Sequence, residues 1–323
     1  MNSCFELNGT VQCPSLPLAS LVFPLSETVL FTAYHNSDDI IPKRTTTLGD
    51  QSLLLKYLNP NSATIISISD EEHSLVVTVV DTISARVLYR ALIPYGGEPV
   101  NAIMIENHVV LSYWNTKSMR PEISSIMLVE GMVSKYDLGP LSPNPFANEH
   151  AFSSFSSLPP IAIQKTFISP KSIKTLSRTI TAKGLSNKNI LIGTMSGQIL
   201  SVDMRAIHPR RPLGEPTKFE KEEGLLQYSP YLHLPGLTYT SQNISVAQIA
   251  GMIAGASNLE STSLILAYGL DVFFNHIRPS QSFDVLSTDF NYSLLVIILV
   301  VLFFIVYILR KMAKTKVLKA PWI

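Results

Sequence analysis

The chain has 323 residues, 25 Lys and Arg against 24 Asp and Glu, and charged side chains at only 15%, well below the roughly 25% usual for water-facing domains. A balanced charge with no long Lys/Arg block excludes a dedicated nucleic-acid binder. A mean hydropathy of +0.24 shows that part of the chain is not built for water.

In chain order, residues 1–50 form a poorly defined segment. Cys4 and Cys13 are the two cysteines; their spacing suits a small disulfide loop in an oxidising compartment and equally suits two thiols. Met1–Asn8 has no basic n-region and no apolar core, so the chain reads as the C-terminal part of something longer. Sequons at Asn8 and Asn243 are candidate N-glycosylation sites.

Residues 51–278 read as β structure. Short apolar runs, 52–58, 63–69, 74–80, 85–93, 99–106, 108–114 and 122–130, alternate with turn chemistry such as Asn59-Pro60-Asn61 and Asp81-Thr82-Ile83-Ser84. They recur every 10–12 residues with no helical period between them, which predicts an antiparallel, propeller-like all-β domain. A Pro-rich loop follows at 138–160. Strand signal returns at 166–168, 190–193 and 197–202, where Gly197 is expected to supply positive φ in a hairpin turn. A second loop covers 208–223, and 262–268 with 272–277 form a last hairpin.

After Pro279, Phe283, Leu286 and Phe290 fall on one side of a short amphipathic helix over 279–291, with Asp284 and Asp289 between them, a pattern that suits the luminal interface and equally an ordinary helix packed under the β domain. Residues 294–309 then form an uninterrupted apolar run, including Leu294, Ile298, Val301, Phe304 and Leu309, which Tyr292 and Ser293 extend to 292–309. About 18 residues just cross a bilayer core of about 30 Å, so this is read as a transmembrane helix. Arg310, Lys311 and Lys314 open a basic tail, 310–323, against Asp284 and Asp289 upstream. The positive-inside rule places the tail in the cytosol and the β domain on the luminal side. A tail-anchored protein with a cytosolic bulk is the alternative, which the basic tail opposes. A third sequon, at Asn291, abuts the span and is expected to be unused. Small residues are scarce along the helix, so its contacts with the lipid bilayer and with neighbouring helices are expected from Leu, Val and Phe.

Several blocks carry a resemblance: 56–61, 109–117, 128–131, Ile190–Gly193 with Ser196-Gly197, Pro209-Arg210-Arg211-Pro212, Leu259–Thr262, 267–271, and Pro279-Ser280 through Leu286. In this order, closing on one span and a basic tail, they resemble the C-terminal portion of the family of subunit 1 of the ER membrane protein complex. The resemblance implies a single-pass type I protein of the endoplasmic reticulum membrane with a luminal, incomplete β-propeller. It implies a scaffold without catalysis, whose partners are the other subunits of that complex and client membrane proteins, multipass and tail-anchored. His208 and Asn291 stand where the family commonly places acids.

The dispersed histidines form no HExxH or His/Cys ligand spacing, Gly193 and Gly197 sit in no phosphate loop, and no G-x-S-x-G elbow exists. No metal, cofactor or catalytic residue is expected. A quinoprotein-like propeller enzyme is the rival of a different class. It needs an indole platform and a carboxylate-rich calcium site, whereas Trp114 and Trp322 are the only tryptophans. An unrelated type I receptor or adhesion protein is the third reading.

Overall fold

In a computed structural model, residues 5–7, 10–12, 20–36, 39–69, 74–138, 153–155, 157–280 and 291–319 are described. Cys4, Asn8, Cys13 and the juxtamembrane Phe283, Asp284, Leu286, Asp289 and Phe290 lie outside them, as does most of the 138–160 loop. The chain divides into a β unit up to Ser280 and a helical unit from Gln281.

The strands in chain order are β1 (Phe5–Leu7), β2 (Thr10–Gln12), β3 (Glu27–Tyr34), β4 (Thr45–Thr47), β5 (Leu53–Lys56), β6 (Ser62–Ser69), β7 (Ser74–Asp81), β8 (Val87–Pro94) and β9 (Gly96–Ile105). There follow β10 (His108–Asn115), β11 (Arg120–Val133), β12 (Ile161–Ile168), β13 (Ile173–Arg178), β14 (Asn189–Thr194), β15 (Ile199–Asp203), β16 (Gly251–Ala256), β17 (Ser263–Tyr268) and β18 (Val272–Ile277). Helix α1 (Lys218–Glu222) interrupts the second loop, and α2 (Tyr292–Lys319) forms the second unit.

Beyond the β1–β2 hairpin, the sheets are meanders of antiparallel neighbours: β3-β6-β7-β8; β9-β10-β11-β12 with β4-β5 added to β11; β13-β14-β15; and β16-β17-β18. The first strand of each sits next to that of its neighbour, since β9 touches both β3 and β13, and β13 touches β16. Three apolar cores fill the gaps between successive sheets. Ile66, Val77, Leu111 and Ile126 join the first sheet to the second, Ile105, Ile123, Ile192 and Leu200 the second to the third, and Leu191, Ile199, Ile265 and Ala267 the third to the fourth. Blades packed face to face around their first strands are propeller architecture, here a curled, open array of four. Among the described residues β8, β12, β15 and β18 are the outer edge strands of the four sheets.

Local chemistry explains the turns. Asp81 accepts from the backbone N–H of Ile83 and Ser84, each at 2.9 Å, and closes the β7–β8 hairpin as an Asx turn. Gly197 sits at φ +82°, and a Cβ there would lie 2.5 Å from the Val246 carbonyl oxygen. Glycine is therefore required twice over, by conformation and by contact. Four strands, β1 to β4, precede residue 51, in a stretch where the sequence pattern marks no element. Within the loop over 208–223, α1 is fixed by a capping box: Thr217 accepts from Glu220 N–H while the Glu220 carboxylate accepts from Thr217 N–H.

Candidate functional site

The apolar helix is the first feature of functional weight. Asn291 caps it, its Oδ1 accepting from Leu294 N–H at 3.0 Å. Asn caps as well as Asp does, so the departure at this position preserves the helix start. From Tyr292 to Lys316, α2 is the one helix among the described residues long and apolar enough to cross a membrane. Leu294, Ile298, Val301, Phe304 and Leu309 are all exposed. The helix has 28 residues and is about 42 Å long; its apolar part, 292–309, is about 27 Å, the length of a bilayer core, and suits lipid or other helices as surroundings. The helix does not stop at Leu309; it carries Arg310, Lys311 and Lys314 onward as helical residues, the geometry in which long cationic side chains reach an interface.

In the β unit, polar residues do two kinds of work. Some pin loops to blades. Glu260, in the turn before β17, is 7% exposed and accepts four hydrogen bonds. Thr181 Oγ1 (3.0 Å), Leu185 N–H (2.6 Å) and Ser186 N–H (2.9 Å) go to one carboxylate oxygen, and Lys183 N–H (2.6 Å) to the other. Burial alone would raise its pKa, but these donors hold it below the ordinary value. The third and fourth blades are thereby tied through one side chain. Arg211 does the same for the second loop: its buried guanidinium donates to the carbonyls of Ala206, Leu226 and Gln227 and lies over the Phe167 ring at 5.5 Å.

Other polar residues converge on a cleft at the rim of the second and third blades. The β9–β10 turn presents Glu106, the β13–β14 loop Lys188, and β5 Lys56. Gly184, at φ +67°, brings that loop against the 39–44 segment, where a Cβ would lie 2.2 Å from the Ile40 carbonyl oxygen. Lys56 Nζ is 2.5 Å from Glu106, Lys188 pairs with Asp39 and lies 3.9 Å from Glu106, and Arg178 Nε is 3.2 Å from Asp39. Arg210 pairs with Glu223 at 2.9 Å, and Arg205 with Asp203 at 2.7 Å. The cleft encloses about 250 Å³, and a second hollow of about 530 Å³ shares Glu106 with it.

Among the described histidines, His233 and His276 are exposed, whereas His35, His108 and His208 are drawn into the β unit. His108 and His208 meet edge to face, ring centroids 5.7 Å apart. Burial keeps both neutral: it pushes His108 well below its usual range and, helped by Arg210, brings His208 to about 4. His35, beside Ser62 Oγ at 3.0 Å, is likewise lowered to about 4 by burial and by Arg178. No spacing in the sequence signals this, because the residues come from different blades. Among the described residues no group of three metal-ligating side chains occurs. Asn243 is exposed in a turn between β15 and β16.

Comparison with known proteins follows the same outline. A family model described as "ER membrane protein complex subunit 1, second beta-propeller" matches residues 4–280. A Gallus gallus protein named ER membrane protein complex subunit 1 is 35% identical over 280 residues, 85% of this chain and 27% of that protein. Proteins of the same name from Xenopus laevis and Schizosaccharomyces pombe are 32% and 28% identical, covering 85% and 92% of this chain and 27% and 33% of their own lengths. The chain thus spans about a quarter to a third of the length of these curated relatives.

Proposed function

The chain belongs to the family of ER membrane protein complex subunit 1, and from that premise we propose that it is a non-catalytic scaffold within such a complex. In this reading the β unit lies in the lumen of the endoplasmic reticulum, α2 crosses the membrane once, and the basic end faces the cytosol. The β unit offers blade surfaces to the other subunits, while the exposed side chains of α2 pack against lipid and neighbouring spans. The client proteins are multipass and tail-anchored membrane proteins whose insertion and folding the assembly supports. Asp284 and Asp289 act on the luminal edge and Arg310, Lys311 and Lys314 on the cytosolic one. Phe283, Leu286 and Phe290 rest in the interface, Asn243 and Asn8 are glycosylation acceptors, and Cys4 and Cys13 form a disulfide.

One observation carries the proposal: a propeller family match over residues 4–280 in the same chain as a helix whose large apolar side chains from Tyr292 to Met312 are exposed. Such a helix is stable only among hydrocarbon or other helices. Affinity purification of the tagged full chain in mild detergent tests it. Stoichiometric recovery of other complex subunits is expected; a monodisperse chain alone would refute the scaffold role.

A further inference from the structure

The rim cleft holds an imbalance that neither the family nor the scaffold reading explains. Its walls carry five cations, Lys43, Lys56, Lys188, Arg205 and Arg210, against three carboxylates, Glu106, Asp203 and Glu223. The outer pairs, Arg205 with Asp203 and Arg210 with Glu223, cancel. The inner cluster does not: Lys56, Lys188 and Arg178 face only Asp39 and Glu106, and these five side chains are 3–17% exposed. The neighbouring histidines, His35, His108 and His208, are neutral and supply no countercharge.

A buried net positive charge is costly unless something neutralises it. Buried polar atoms are also left over, a donor on Arg178 and a ring nitrogen on His108. Arg178 Nη2 and His108 Nε2 are buried without a hydrogen-bond partner; His108 lines the cleft and Arg178 stands behind Asp39. The cleft beside Lys56 and Lys188, about 250 Å³, is of a size for a small ion and not for a folded segment.

We propose that this cleft binds one small oxyanion of the phosphate or carboxylate class, seated against Lys56 and Lys188. The bound anion would balance the inner cluster and lock the 39–44 segment and the β13–β14 loop to the β9–β10 turn, three parts of the chain that these ion pairs and the close approach at Gly184 already bring together.

The test uses the purified full chain in detergent, titrated with inorganic phosphate or acetate at constant ionic strength, with chloride as the balancing anion. Equilibrium dialysis with labelled phosphate or acetate measures stoichiometry, and the thermal midpoint measures the effect on folding. Saturable binding of one anion per chain is expected for at least one of the two probes, and the responding probe identifies the class. Lys56→Gln, which leaves two cations against two acids, should weaken binding at least about tenfold, and Glu106→Gln should tighten it by a similar factor. If Lys56→Gln fails to fold, the direction of the Glu106→Gln change decides alone. A midpoint that rises equally with every salt, binding below one per chain for both probes, or Glu106→Gln binding no tighter than the parent would overturn the proposal.

Discussion

Replacing Glu260 with Gln removes one charge and one acceptor from a carboxylate that four donors surround. The amide oxygen can still serve Thr181, Leu185 and Ser186, at neutral rather than charged strength, but the amide nitrogen now meets Lys183 N–H, donor against donor. A lost hydrogen bond to a charged group costs about 1.5–3 kcal/mol. With the weakening of the other three, the total is about 3 kcal/mol. For a unit of this size each kcal/mol moves the thermal midpoint by roughly 2–4 °C, so Glu260→Gln should lower it by roughly 6–12 °C, and Glu260→Ala by more. The melt is read on the full chain in detergent from its β-sheet circular dichroism.

The pH dependence supplies an independent check. A carboxylate held below its ordinary 4.5 in the folded state contributes stability that is complete above that value. The contribution is lost as pH falls through the folded pKa, so the gap between parent and Glu260→Gln should close in acid. A midpoint change under about 2 °C at neutral pH, or a gap that persists unchanged in acid, would refute the pinning role.

Three further outcomes follow from the same structure. Arg211→Lys cannot reproduce a planar guanidinium that donates to three carbonyls while lying over Phe167, and denaturant titration should show a loss of about 2–4 kcal/mol. Gly197→Ala must hold alanine at φ +82° against the Val246 carbonyl; a loss of about 1–3 kcal/mol is expected in the same assay. His35 and His208, lowered from 6.5 to about 4, take up protons on unfolding between those values. Stability should therefore be complete above pH 6.5 and fall towards pH 4, by about 1.5 kcal/mol per histidine between pH 6.5 and 5, and His208→Leu should flatten the profile.

The hairpins β7–β8 of the first blade and β14–β15 of the third were legible in the sequence because their strands are β-branched runs closed by an Asx turn at Asp81 and a Gly turn at Gly197. β13 was not: a register shift between Ile173 and Thr175 breaks its alternation, so the buried positions do not fall on every second residue. β16, Gly251–Ala256, has weak β propensity, and its identity as a strand comes from pairing with β17. Helix α1 had a readable signal in Thr217-x-x-Glu220. The span was plain from composition and needed no partner to be recognised. The rim cluster was invisible for a different reason. Asp39 and Lys188 are 149 positions apart, and ion pairs between blades leave no local spacing to find. The same holds for Glu260, which stood out in the sequence only as part of a family-like block, while its chemistry depends on backbone N–H groups some 75 residues upstream.

Sidedness is the point on which the scaffold account stands most directly. Sealed microsomes carrying the full chain, with one epitope after Lys319 and another in the exposed turn at Asn243, should be treated with protease from outside. The terminal epitope should disappear while the turn epitope survives until detergent is added. Loss of the turn epitope from intact vesicles, with the terminal one protected, would contradict a luminal β unit held by a single crossing of α2.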